Sequence, residues 1–353
     1  MRQTWFIGFL WCMAFLFGGC VEPLTPVPSS QKVDFVLHIS SAMESTLETK
    51  AETAENGDLF SNIIVFLVRD GKIVKCAQPE MTSDASTKDI PFTSVEVGTY
   101  EVYAIANYTD ADLNGLVEDN TFITGKAFHA DHLLQSVSNH QSPHPGKEGY
   151  MLLTGHTQAP VEVDYSQGDI VLYRTVARLN VYINNYTPKP VRLDNLEFSS
   201  FSAPTAYLFE HKDESGLPVM LPGTVLQDLP IYDLNNPVTI PVAPPTTPGT
   251  PSPERVPVYL TYLYEMQSVD VCQLNVKVCL LDGQTNPTLT SGLKPMNLVD
   301  NQTGLISPLT TIYRNQELNV EINIYYKADD ARFGIEVYND TWRTSSESTW
   351  IYN

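Results

Sequence analysis

The chain has 353 residues and a formal charge of −20, from 21 basic and 41 acidic side chains. That acidity argues against nucleic acid as a partner, because phosphate binding depends on Lys and Arg. It also argues against an anionic lipid surface unless an acyl chain supplies the attachment. A length above the roughly 250–300 residues of most single cores predicts two domains.

The N-terminus begins with Arg2, an apolar run from Trp5 to Phe17, and then Gly18-Gly19-Cys20. This is the layout of a signal peptide, with a basic start, a short apolar core and small residues before the cut. The run of 13 residues is too short for a membrane span, which takes roughly 20. Cys20 after two glycines resembles the lipobox of bacterial lipoproteins. That resemblance implies a cleaved signal peptide over 1–19, a lipid such as palmitate on Cys20, and an outer-membrane lipoprotein at the cell surface. Residues 20–32, with Pro23, Pro26, Pro28, Ser29 and Ser30, read as an extended tether. Three thiols then remain, Cys76, Cys272 and Cys279. The odd separation of the last two puts them on opposite faces of a strand, roughly 23 Å apart at ~3.3 Å per residue, so they do not pair.

Beyond the tether the pattern is strand. Val33–Ile39, Ile63–Val68, Gly98–Ala106 and Val161–Val163 carry β-branched and aromatic residues between turn formers. Val176–Ile183, Val191–Phe198, Val258–Tyr264, Val271–Leu281, Leu318–Tyr326 and Arg332–Tyr338 follow. Asp70-Gly71 and Asp282-Gly283 are hairpin turn signals. One short helix is expected over Ala127–Val137. Runs of short strands with Gly/Pro-rich turns predict an all-β fold of two mainly antiparallel β-sandwiches. The boundary is placed near residue 168, giving an N-terminal domain over 33–168 and a C-terminal domain over 169–353. Residues 237–257 carry eight prolines and read as a stiff exposed loop inside the second domain.

Motifs for chemistry are scarce. There is no G-x-S-x-G, H-E-x-x-H or G-x-x-x-x-G-K-[ST], and no cofactor is expected. Five of the seven histidines (His129, His132, His140, His144 and His156) fall within 28 residues. On a helical turn His129 and His132 would share a face, which makes them weak candidates for a metal pair. Pro143, Pro145, Gly146 and Gly149 favour a solvated loop instead. The 18 tyrosines suit cross-strand packing, with sugar stacking as the sharper alternative.

Several segments read together carry a resemblance. They are Asn62-Ile-Ile-Val-Phe-Leu-Val-Arg-Asp-Gly71, Val97-Gly-Thr-Tyr-Glu-Val-Tyr-Ala-Ile-Ala-Asn107, Tyr173-Arg-Thr-Val-Ala-Arg-Leu-Asn-Val-Tyr-Ile183 and Tyr313-Arg-Asn-Gln-Glu-Leu-Asn-Val320. In this order, behind a lipobox, they are similar to the FimA/Mfa-type (type V) fimbrillins of Bacteroidales. Those are lipoprotein pilus subunits of two β-sandwiches with transthyretin-like, Greek-key-like topology. The resemblance implies a non-enzymatic structural and adhesive fimbrial subunit. A protease cuts after the first strand, and a neighbouring subunit fills the vacated groove with its C-terminal strands. Here the removable strand would carry Val33, Phe35, Leu37 and Ile39. The donor would be segment 332–353, with Phe333, Ile335 and Val337 alternating and Trp342, Trp350 and Tyr352 as anchors. One departure stands out. No arginine lies between Arg2 and Arg69, and the basic residue of the intervening loop is Lys50, followed by Ala51. Cleavage there gives a shaft or tip-proximal subunit, and its absence gives a membrane anchor. The implied partners are other fimbrial subunits, the outer membrane, and a host or bacterial surface ligand. Two other classes remain: a non-polymerising surface lipoprotein that binds glycan or host protein, and a hydrolase or metalloenzyme using the His129–His156 region.

Overall fold

In the computed structural model of the protein, the described residues are 31–42, 59–135, 150–163, 166–214, 219, 221–222, 225–230, 237–243, 256–283, 286–299, 305–327 and 330–341. The chain enters as β1 (Lys32–Ser41) and runs through β2 (Ile63–Arg69), β3 (Lys72–Ala77), β4 (Thr87–Glu96) and β5 (Gly98–Ala106). A one-turn helix α1 (Asp110–Leu113) and a short strand β6 (Leu133–Gln135) precede β7 (Leu153–Val161) and β8 (Gln167–Arg174). Next come β9 (Val176–Tyr186), β10 (Val191–Ser202), β11 (Thr205–Tyr207), β12 (Gln227–Pro230) and β13 (Thr239–Ile240). β14 (Val256–Tyr264), β15 (Met266–Gln267), β16 (Gln273–Leu280), β17 (Thr288–Pro295) and β18 (Asn297–Val299) follow. The chain continues through β19 (Ile306–Pro308), β20 (Thr311–Ile312), β21 (Gln316–Lys327) and β22 (Asp330–Thr341).

The fold is all-β. A seven-stranded sheet has the order β3-β2-β5-β7-β8-β1-β4, and its inward side chains meet in one core that includes Phe35, Ile63, Phe92, Val102 and Leu172. Two further sheets, β12-β10-β16-β17 and β14-β9-β21-β22-β18-β19, enclose a second core. Leu179 and Val181 of β9 and Val320 and Ile322 of β21 meet Phe198, Leu274 and Val276 there. β2 is buried on both faces, so its sequence is nearly continuously apolar. Ile63, Val65 and Leu67 enter the first core. Ile64, Phe66 and Val68 pack against the crossing segment around Tyr108, Leu116 and Phe128.

Several expectations change. The sheets are mainly antiparallel, as expected, but β1–β8, β9–β21 and β18–β22 are parallel pairs between segments distant in sequence. The expected boundary near 168 falls inside β8, which pairs with β7 and β1, so the first sheet runs on to Arg174. Among the described residues of the expected helix, 127–135, no helix forms. Ala127 and Phe128 bridge Lys72 and Val117, and residues 133–135 form β6 against β11. Residues 161–163 are the end of β7 and a bend rather than a strand of their own. The stretch 237–257 carries strand at both ends, with β13 pairing β10 and Val256 opening β14. Asp70-Gly71 makes the expected tight turn, with φ values of 53° and 69°. Asp282-Gly283 instead lies within a longer connection between β16 and β17.

The geometry of Gly98-Thr-Tyr100 and Ala-Asn107 has a physical basis. Gly98 has φ 147°, and a Cβ there would lie 2.5 Å from Arg69 Nη2. The Arg69 guanidinium instead fits over the Tyr100 ring, 4.2 Å from its centroid. Asn107 sits at φ 60° and is fully buried. Its Oδ1 accepts from Ser61 N (2.8 Å) and Ser61 Oγ (3.1 Å), and its Nδ2 donates to Leu59 O (2.8 Å) and Met151 O (2.9 Å). Asparagine tolerates the left-handed region, and its amide satisfies main-chain groups from both flanking segments. Asn107→Ala should lower stability by about 2–4 kcal/mol, combining unsatisfied buried groups with backbone strain. The measurement is a shift in urea midpoint at unchanged slope.

Candidate functional site

The first candidate site is the seat of β1. This strand lies between β4 and β8, antiparallel to one and parallel to the other. Phe35, Leu37 and Ile39 are fully buried, and Val33 packs at the margin of the same core. Phe35 lies beside Phe92, with ring centroids 6.2 Å apart. A Cβ at Gly168 would come 2.9 Å from Phe35 Cζ, so the glycine makes room for the ring. Outside, His38 Nδ1 meets Asp89 Oδ1 at 2.7 Å, with both side chains exposed. That exposed pair contributes little. Burying the three inward side chains contributes roughly 5–9 kcal/mol, so β1 is held by its apolar face.

The second is β22. It pairs with β21 along its whole length and with β18 at Val337 and Tyr338. Phe333, Ile335 and Val337 stand opposite Ile324, Ile322 and Val320 of β21, residues of the second core. Cys20, Lys50, Ala51, Trp342, Trp350 and Tyr352 lie outside the described residues.

The junction of the two halves is a site that the sequence reading missed. Arg314 Nε donates to Glu265 Oε2 at 2.8 Å and its Nη2 pairs with Glu265 Oε1, both side chains 3% exposed. The same guanidinium donates to Leu208 O (3.0 Å) and Tyr207 O (2.8 Å). Leu208 O also accepts from Thr154 Oγ1 of β7, and Leu208 N donates to His132 O. Phe209 then packs on Tyr103 and Phe128. The Tyr313-Arg-Asn-Gln stretch was visible as a pattern, but its partner Glu265 is 49 residues away.

The histidines do not converge. His129 is exposed, His132 is half-buried, and they lie on a turn rather than a helix. His140 and His144 are outside the described residues. His156, on β7, bonds Glu101 at 2.5 Å and stacks on Tyr103 at 4.4 Å. Among the described residues no three His, Cys, Asp or Glu side chains gather to hold a metal. Cys76, Cys272 and Cys279 are free thiols, and burial pushes Cys76 up to about 11 and Cys272 up to about 12. Such thiols are inert. The exposed tyrosines among the described residues, Tyr173 on β8 and Tyr325 on β21, stand on different sheets.

No family model matches the sequence, and no curated protein matches it. Solved structures do. A candidate cell adhesion protein from Parabacteroides distasonis is similar in fold, with TM-score 0.55, 14% identity, and coverage of 90% of this chain and 99% of the other. The fimbrilin FimA from Porphyromonas gingivalis follows at TM-score 0.49 and 11% identity, covering 90% and 99%. The tip fimbrial protein Mfa3 of Porphyromonas gingivalis, with a C-terminal truncation, stands at 0.49 and 11%, covering 87% and 99%.

Two outcomes are expected of the junction. Arg314→Met should cost about 3–5 kcal/mol by leaving a buried carboxylate alone, and pairing it with Glu265→Leu should recover part of that loss. A double-mutant cycle from urea unfolding measures both. Burial is the main cause holding His132 below the usual imidazole range. Its neutral form is thus favoured on folding, and this contribution is complete above about pH 6.5 and is lost as pH falls below that value. Wild-type stability should therefore decline more steeply on acidification than that of His132→Gln, read from urea midpoints across pH 5–7.5.

Proposed function

We propose that this chain is a structural and adhesive fimbrial subunit, exported as a lipoprotein through Cys20 and assembled by strand exchange. The observation that carries the reading is the seat of β1. An N-terminal strand lies inside a finished sheet, with Phe35, Leu37 and Ile39 filling the core. Loss of that strand would leave unpaired main chain on β4 and β8 and an apolar slot beside Phe92 and Gly168. Such a slot needs another strand, and backbone pairing plus alternate side chains is the chemistry of strand addition. Segment 332–353 of a neighbour supplies the same alternation, with Phe333, Ile335 and Val337 for Phe35, Leu37 and Ile39. Likeness of the whole fold to a candidate cell adhesion protein supports the same class.

Cleavage after Lys50 would free β1 together with the lipid on Cys20 and commit the subunit to the fibre. Without cleavage, β1 stays seated and the subunit remains at the membrane. Arg69, the next basic candidate that the resemblance suggests, ends β2 and is stacked on Tyr100, so it is a poor protease site. Glycan or protein ligands of the fibre surface would be secondary to this role.

The test is mass spectrometry of protein from outer membranes and from sheared fibres, paired with recombinant chains. A fibre species beginning at Ala51 and a lipidated Cys20 species confined to membranes are expected. A chain starting at Ala51 should polymerise, and one starting at Gln31 should stay monomeric by light scattering. Phe333→Asp in the shorter chain should slow polymerisation by about tenfold or more, since a charge would enter an apolar slot. A stable monomer from the Ala51 chain would overturn the reading.

A further inference from the structure

A cavity of about 400 Å³ opens between β11 and β15. These strands belong to separate two-stranded sheets, β11 with β6 and β15 with β20, so they border the gap without pairing across it. Ala203, Ala206 and Met266 are buried at its inner wall, and the half-buried Leu226, just before β12, covers one side. Alanine at 203 and 206 leaves volume that larger side chains would fill in a close-packed interior. Thr205, Gln267 and Ser268 bring neutral polar groups to the lining. Their backbone is fixed: Thr205 stands opposite Gln135, Gln267 opposite Thr311, and Ser268 N donates to Thr310 O at 2.8 Å. A preformed cavity, largely apolar with a few converging polar groups, has the anatomy of a small-molecule site, and its volume lies in the usual range of about 300–1,000 Å³.

Charge narrows the class of ligand. Glu265 is the ionisable residue of the lining, and both of its carboxylate oxygens are engaged by Arg314. The pair leaves the wall without net charge. An ionised carboxylate offers about four acceptor positions, so two remain for O–H donors. An anionic ligand would meet this carboxylate on a chain of charge −20, which repels it. A cationic ligand would compete with a guanidinium that is already in place. A neutral, hydroxyl-rich ring satisfies the lining instead. Its C–H face lies against Met266 and Leu226, and its hydroxyls meet Glu265, Thr205, Gln267 and Ser268.

We propose that this cavity binds a neutral carbohydrate, either a single hexose or the end residue of a longer glycan, with Gln267 and Ser268 as its recognition residues. The site lies away from β1 and β22, so it does not depend on strand exchange. Only its use in attachment rests on the adhesive part of the reading above.

The test is calorimetric titration of the intact chain with the methyl glycosides of glucose, galactose, mannose and N-acetylglucosamine. Saturable binding of at least one is expected, with a Kd on the order of 1 mM for a ligand of about a dozen heavy atoms. Gln267→Ala with Ser268→Ala should weaken it about 5- to 100-fold through the loss of two hydrogen bonds. Thr205→Trp, which fills the cavity, should abolish it. Should that variant not fold, as judged by its urea midpoint, the double variant decides alone. Methyl glucuronide and N-acetylneuraminic acid should bind roughly tenfold more weakly or not at all, because of their charge. Absence of saturable binding by all four neutral glycosides overturns the proposal. So does equal affinity in wild type and the double variant, or tighter binding of either anionic sugar. Fibre growth of the Ala51 chain is scored separately. Its failure removes strand exchange, while the sugar titration still decides the cavity.

Discussion

The buried ion pair between Arg314 and Glu265 is the constraint on which the two-part architecture depends. A guanidinium has five donors and no acceptor, so burying it demands a full set of acceptors. Here Glu265 and the carbonyls of Tyr207 and Leu208 take up four of the five. Those carbonyls belong to the segment that also bonds Thr154 and His132 of the first half and packs Phe209 against Tyr103 and Phe128. Satisfying one cation therefore fixes the junction. Specific geometry rather than net stability is what such a pair contributes, because two apolar residues of similar volume would often be as stable.

With the junction held, the two sandwiches differ in how they treat their terminal strands. β1 is seated between two neighbours and buries Phe35, Leu37 and Ile39 completely. β22 pairs fully on one edge and only at two positions on the other. The first half thus depends on a strand contributed from the N-terminal end, and the second half ends on a strand paired along one edge.

The elements most legible in the sequence were those with strict alternation or continuous apolar runs. β1, β2, β5, β9 and β21 fall where their patterns place them, because a side-chain period of two is a local property. β4 was missed because Pro91 and the charges of Lys88 and Asp89 disguise its alternation of Ile90, Phe92 and Val95. Its partner β1 covers only one edge, so a proline is tolerated there. The helix expected over 127–137 failed for a different reason. The apolar residues Phe128 and Leu134 serve tertiary contacts across two sheets, and that demand overrides a weak local preference. Of the candidate sites, the slot of β1 was legible from its alternation. The Arg314–Glu265 junction was not, since no local rule links residues 49 positions apart.

By itself, the sequence determined the class of fold, the inward face of β1, the tight turn at Asp70-Gly71 and the net acidity of the chain. These follow from side-chain period, backbone preference and charge, all of which act within a few residues or sum over the chain. Tertiary structure alone decided the parallel pairs β1–β8 and β9–β21, the extension of the first sheet to Arg174, the role of Asn107 as a four-bond staple, and the partner of Arg314. It also decided the register of β22 against β21. The physical reason is common to all of them: strand partnership and burial are set by which distant segments satisfy each other's main-chain and charged groups, and sequence separation carries no record of that choice.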